Sequence, residues 1–188
     1  MFKELVKKSR SYRRFKEDIK IKEEDLSELV DLTRFCPSSA NIQPMKYIIV
    51  SDEEMNEKVF NTLAWAGYLK EWIGPEEGER PTAYIVILKD KSLMKALSLD
   101  DGIVAQTICL GAADKGIGTC MIGSIKREEL KGILNINDDF DISLVIALGY
   151  PNENIIIEDI KDGNFKYWRD EKENHYVPKR PFEEITIK

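Results

Sequence analysis

The chain has 188 residues, 43% of them hydrophobic, and a formal net charge of −6, which suits one folded domain and argues against disorder and against a general nucleic-acid surface. No apolar run approaches the roughly 20 residues of a membrane span, and the start, Met1-Phe2-Lys3-Glu4-Leu5, has no apolar leader. Three cysteines, Cys36, Cys109 and Cys120, stand far apart without a C-x-x-C, so neither a zinc site nor a disulfide framework is expected, and a reducing, cytoplasmic setting is.

Residues 2–9 carry Leu5 and Val6 among charges and read as a short helix. Arg10-Ser11-Tyr12-Arg13-Arg14 follows. Arginines around a hydroxyl at a helix end form a candidate clamp for a phosphate or carboxylate, because a guanidinium offers forked donors and a permanent charge. The same pattern alone also describes a solvated basic turn. Over residues 23–35, Leu26, Leu29, Val30 and Thr33 fall at helical spacing, so an amphipathic helix is expected.

Cys36-Pro37-Ser38-Ser39-Ala40-Asn41-Ile42-Gln43-Pro44 then runs into Tyr47-Ile48-Ile49-Val50. The prolines break the helix, and the β-branched run after them reads as a strand. The loop between is rigid and carries short polar side chains at a strand entrance. It can present N–H groups and amides to a planar polar ligand, although ordinary helix-to-strand connections use the same residues. Ser51-x-x-Glu54 matches a capping box, and Met55, Val59 and Leu63 give an apolar stripe. That helix is expected to end near Trp65-Ala66-Gly67-Tyr68.

Residues 74–81 form a breaker-rich loop, either a lid or a plain surface loop. Trp65, Tyr68 and Trp72 just before it can stack on an aromatic ligand, with core packing expected for at least two of them. Residues 83–88 read as a buried strand, and residues 89–99 have no clear pattern. Asp100 or Asp101 is expected to cap a helix over 103–115. That segment is apolar or small nearly all round, so it should be buried and admit another helix closely, from this chain or a second subunit.

Gly116-Ile117-Gly118-Thr119-Cys120-Met121 lacks the third glycine and the preceding strand of a dinucleotide fingerprint. It reads as a turn and a strand, with Ser124 capping a helix over 126–134. No P-loop motif occurs. Residues 142–148 form an apolar strand expected at the sheet centre. From residue 152 the chain is polar, yet it holds Tyr167-Trp168-Arg169, the sole histidine, His175, and Lys179-Arg180. Its aromatic content calls for docking, on this chain or a partner. With no repeat and no linker, residues 1–188 are read as one domain, with 152–188 as a docking tail.

Taken in order, Arg10-Ser11-Tyr12-Arg13, the Pro37–Pro44 loop, Asp101-Gly102, Gly116–Gly123 and Lys179-Arg180 resemble the FMN-dependent nitroreductase family. The resemblance implies an α+β fold with a mixed, mainly antiparallel sheet flanked by helices, in an intertwined homodimer with FMN at the subunit interface. It implies that Arg10, Ser11 and Arg13 hold the FMN phosphate, ribityl chain and pyrimidine edge, with Lys179 and Arg180 adding charge at the phosphate. Pro37, Ser38, Ser39 and Asn41 would come from the other subunit and line the isoalloxazine, and Ile122, Gly123 and Ser124 would cover it with backbone groups. Arg13 is the implied stabiliser of the reduced flavin's charge. The implied activity is NAD(P)H-dependent, ping-pong hydride transfer to nitroaromatic, quinone or related small-molecule acceptors. The alternatives are a related flavin enzyme (dehalogenase, enoate reductase or flavin-fragmenting) and an FMN-binding dimer that senses redox state. No Ser-His-Asp set is evident, and chemistry carried on a cofactor needs none. Met45 and Met121 stand where the family often has Trp, which bears on the substrate pocket more than on the flavin.

Overall fold

Four apolar runs build the main sheet. In the computed structural model, which describes residues 1–93 and 99–187, these are β1 (Met45–Val50), β2 (Ala83–Asp90), β3 (Gly118–Ile122) and β4 (Phe140–Gly149). All neighbours pair antiparallel, in the order β1-β2-β4-β3. The first six residues of β2 are all buried, as they must be when helices cover both faces of a sheet. On one face Ile85, Ile87, Ile146 and Leu148 pack against Leu26 and Leu29 of α2 (Glu23–Asp31) and Val104, Ala105 and Ile108 of α4 (Asp100–Asp114). On the other, Tyr84, Val86, Val145 and Ala147 pack with Phe15, Trp65, Val59 of α3 (Glu53–Phe60) and Leu130 of α5 (Arg127–Ile133). The expected α+β architecture and the central place of β4 are therefore present. No helix among the described residues is long and apolar enough to cross a membrane.

The local expectations fail at helix ends. The cap of α3 is Asp52, not Ser51: its carboxylate accepts from Met55 N at 2.9 Å, while Glu54 pairs with Lys58 instead. The helix stops at Phe60 because the next residues are drawn into a bridge between Leu63 and Ile125. There Ala64 N donates to Ser124 O at 3.0 Å and Lys126 N to Thr62 O at 2.8 Å. Ser124 is thereby engaged through its backbone, and α5 opens after Lys126 with no side-chain cap. Likewise α4 starts at Asp100 rather than 103, which puts both aspartates inside its first turn. Helix α2 continues into a 3₁₀ turn, Leu32–Phe35. The small face of α4 admits that segment of the same chain: a Cβ on Gly111 would meet Leu32 Cδ1 at 2.6 Å.

Of the two readings of residues 74–81, the structure favours a pinned surface loop. Phe15 N donates to Glu79 O at 2.9 Å, and Gly78 N and Arg80 N donate to the Glu17 carboxylate. Trp65 and Trp72 pack in the core as expected, and Tyr68 is half exposed. Residues 94–98, within the unpatterned stretch, lie outside the described residues. The tail docks on its own chain as a second sheet of β5 (Ile155–Asp159), β6 (Trp168–Arg169) and β7 (His175–Lys179), with β5 and β7 parallel. The chain is bounded by α1 (Phe2–Lys8) and α6 (Phe182–Ile185).

Candidate functional site

The basic segment after α1 is laid against the edge of the main sheet. Ser11 bridges Thr119, and Tyr12 N donates to Thr119 O at 2.8 Å. Two glycines make room. A Cβ on Gly118 would meet Tyr12 Cδ2 and Pro151 Cγ at 2.9 Å, and one on Gly149 would meet Phe15 Cβ at 2.8 Å. The tail fixes the segment from its other side. Glu153, with its side chain 1% exposed, accepts from the backbone N–H groups of Arg13 and Arg14 and from Arg169 Nη2. Sequence alone puts Arg10 to Arg14 in a turn; these contacts fix where its side chains stand.

Arg10, Ser11, Arg13 and Lys179 line one cavity of about 360 Å³, together with Thr119, Met121, Tyr167 and His175. Among the described residues no carboxylate pairs with the Arg10, Arg13 or Lys179 side chains, and buried Arg10 Nε has no hydrogen-bond partner. Burial, then the neighbouring Arg10, holds the Lys179 ammonium below its usual value. The cavity therefore concentrates uncompensated positive charge and spare donors, the chemistry that receives a phosphate. Arg180 turns away to Glu184 at 2.7 Å and does not line this cavity.

Arg13, Met121 and Tyr167 also wall a second cavity of about 240 Å³, whose lining includes Ile122, Gly123, Ser124, Trp65 and Gly67. Arg13 thus borders both the basic cavity and a slot edged by backbone and aromatic rings. A ligand with an anionic end and a planar polar ring fits that donor set. Cys109 lines the first cavity, but burial pushes its thiol up to about 11, as it does that of Cys120. Neither offers a thiolate near neutral pH.

Pro37 and Ser38 line a different cavity, beside Asp100 and Tyr47, and the single chain does not bring them to the clamp. Their loop is nonetheless tightly formed. Asp100, 2% exposed, accepts from Ser38 Oγ at 2.5 Å and from Ser39 N and Oγ at 3.2 Å. Gln43 Nε2 donates to Asn41 O at 3.1 Å. Ala40, Asn41 and Gln43 all adopt positive φ, +49°, +56° and +53°, a conformation Asn reaches readily but Ala and Gln hold only when surroundings impose it. Ser39 and Asn41 remain exposed.

Sequence reasoning missed four residues here: Asp100 as loop anchor, Glu153 as backbone anchor, and Tyr167 and His175 as cavity walls. His175 reads as a charged-tail residue but is 0% exposed. The alternation around His175-Tyr176-Val177 is a strand signal that could have flagged it.

A helix-flanked antiparallel sheet with a basic cavity along its edge strand defines an α+β protein with a candidate anion site. Comparison narrows the class: the nitroreductase family model matches residues 6–150, and the chain belongs to that family. A protein of Archaeoglobus fulgidus provisionally named NADH dehydrogenase/NAD(P)H nitroreductase is 28% identical over 144 residues, covering 72% of this chain and 78% of its own. The iodotyrosine deiodinase of Thermotoga neapolitana is 26% identical, covering 81% and 90%. An FMN-dependent nitroreductase structure from Clostridium difficile superposes with a TM-score of 0.65 at 22% identity, covering 80% and 87%.

Proposed function

We propose that this protein is an FMN-dependent oxidoreductase that uses NAD(P)H to reduce nitroaromatic, quinone or related small acceptors. The observation that carries the reading is that Arg10, Arg13 and Lys179, without a carboxylate partner among the described residues, line one cavity, and that Arg13 also walls the neighbouring slot beside Ile122, Gly123 and Ser124. Arg10, Ser11 and Lys179 would hold the phosphate, Arg13 the pyrimidine edge, and residues 122–124 the ring. Bound FMN supplies the hydride chemistry, which leaves the protein to bind, orient and exclude water. Pro37, Ser38, Ser39 and Asn41 would complete the site from a second copy, so the working form is a homodimer. Their loop, held in a strained shape by Asp100 yet exposed at Ser39 and Asn41, supports that assignment.

The test is direct. The purified protein should be yellow with one FMN per chain, and anaerobic NADH or NADPH should bleach it. Protein that stays colourless after incubation with FMN would refute the reading. The deiodinase relative favours one second reading, reductive dehalogenation, in which bleaching occurs without nitro or quinone turnover but with turnover of a halogenated phenol.

A further inference from the structure

Among the described residues, the Arg13 side chain is held by neutral groups only. Its Nη1 donates to His175 Nε2 at 3.1 Å and to Ser11 O at 3.2 Å, and the guanidinium carbon lies 4.6 Å from the centre of the Tyr167 ring. The adjacent arginines are treated differently. Arg14 pairs with Glu79 and Glu173, and Arg169 with Glu153 and Glu173. Glu153 reaches Arg13 through the backbone N–H alone. Carboxylates are thus close at hand, and none is spent on this guanidinium.

The imidazole is built to remain neutral. Because Nε2 accepts from Arg13, the ring proton sits on Nδ1, which has no partner among the described residues. His175 is 0% exposed, and burial, then Arg13 and Arg169, pushes its pKa down to about 4. A carboxylate at this position would orient Arg13 equally well through stronger bonds but would cancel its charge. A neutral acceptor orients without cancelling.

We propose that His175 is a positioning residue that aims Arg13 at the flavin's pyrimidine edge through a neutral hydrogen bond, leaving the guanidinium charge whole, and so sets how strongly the site prefers reduced over oxidised flavin. This rests on the FMN reading above. The couple concerned takes up two electrons and one proton per flavin, so its reduced form carries one more negative charge, and a whole positive charge beside it favours that form.

The experiment measures the two-electron midpoint potential of the FMN-loaded full-length protein, with FMN affinity alongside, in the wild type, His175→Gln and His175→Glu. Glutamine retains a neutral acceptor and should stay within threefold of the wild-type preference for reduced flavin. Glutamate should lower that preference at least tenfold, which for a two-electron couple is about 30 mV. Equal potentials in the glutamate variant and the wild type, both loaded with FMN, would overturn the proposal, as would equal shifts in both variants. His175→Leu gives a second route where the glutamate variant does not fold: its effect should vanish in an Arg13→Gln background, and an undiminished effect there overturns the proposal. Failure of the wild type to bind FMN at all would bring down the flavin reading and this proposal together, whereas unchanged potentials in loaded variants remove only the role of His175.

Discussion

Replacing Glu153 with glutamine asks whether the tail holds the clamp in place. The side chain is 1% exposed and that of its partner Arg169 8%. One oxygen accepts from Arg13 N and Arg14 N, and the other from Arg169 Nη2 at 3.2 Å. Glutamine is isosteric but uncharged, and its NH₂ must face at least one of those donors. Breaking a buried pair by removing one charge costs about 3–5 kcal/mol. Arg169 retains Glu173 at 3.8 Å and the face of Trp72 at 4.3 Å, which places the expected cost at the low end, about 3 kcal/mol. At about 2–4 °C per kcal/mol for a chain of this size, the melting temperature should fall by about 6–12 °C. Thermal unfolding followed by circular dichroism reads this out. FMN titration should show weaker binding as well, since the Arg13 backbone loses its anchor. Adding Arg169→Leu removes the cation that has lost its buried partner and should restore part of the loss. A melting temperature within about 2 °C of wild type, or no recovery in the double variant, would refute the account.

Gly149→Ala would place a Cβ 2.8 Å from Phe15 Cβ, whose backbone is tied to Glu79 O; overpacking of about 1–3 kcal/mol is expected, partly relieved by Phe15→Leu, and an unchanged melting temperature counts against the close packing. His175 is neutral in the folded chain because its pKa is lowered from 6.5 to about 4, so the unfolded state binds more protons between those values and stability is lost as the pH drops through that window. Melting temperatures measured from pH 7 to pH 4 should show that loss in the wild type and a flatter curve in His175→Gln; parallel curves would exclude His175 as the source. Arg10→Ala removes charge-assisted donors worth about 1.5–3 kcal/mol and should weaken FMN about ten- to a hundredfold, with turnover restored at saturating FMN; turnover that stays low at saturation would place Arg10 in the chemistry.

The sheet is legible in the sequence because burial on both faces leaves unbroken β-branched runs such as Tyr84-Ile85-Val86-Ile87. The clamp is legible because arginines cluster within a few residues. The anchors are not. Asp100 lies 62 residues from Ser38, and Glu153 lies 140 from Arg13. A single carboxylate in a polar stretch carries no local mark of such a partner. Helix ends fail for a related reason. Ser51 and Asp52 both suit an N-cap, and the capping-box pattern favours the serine, whereas the observed bond from Met55 N goes to the carboxylate. Ser124 stands outside the cap position because α5 opens only after Lys126, once the bridge between residues 62–64 and 124–126 has formed.

Charge distribution bears on the proposed anion site. The chain has 28 basic and 34 acidic residues, so carboxylates outnumber the cations they could neutralise. Lys115, far from the cavity lining, has two of them, Asp25 and Glu28. Among the described residues Arg10, Arg13 and Lys179 have none; they line one cavity, and burial, then Arg10, holds Lys179 below its usual value. Repulsion between neighbouring like charges disfavours the compact state unless something offsets it. An anion entering the cavity removes the repulsion and satisfies Arg10 Nε in one step. On the proposed reading, the cost borne by the free protein would reappear as affinity for the anion, and a charge left whole at Arg13 by a neutral histidine belongs to the same arrangement.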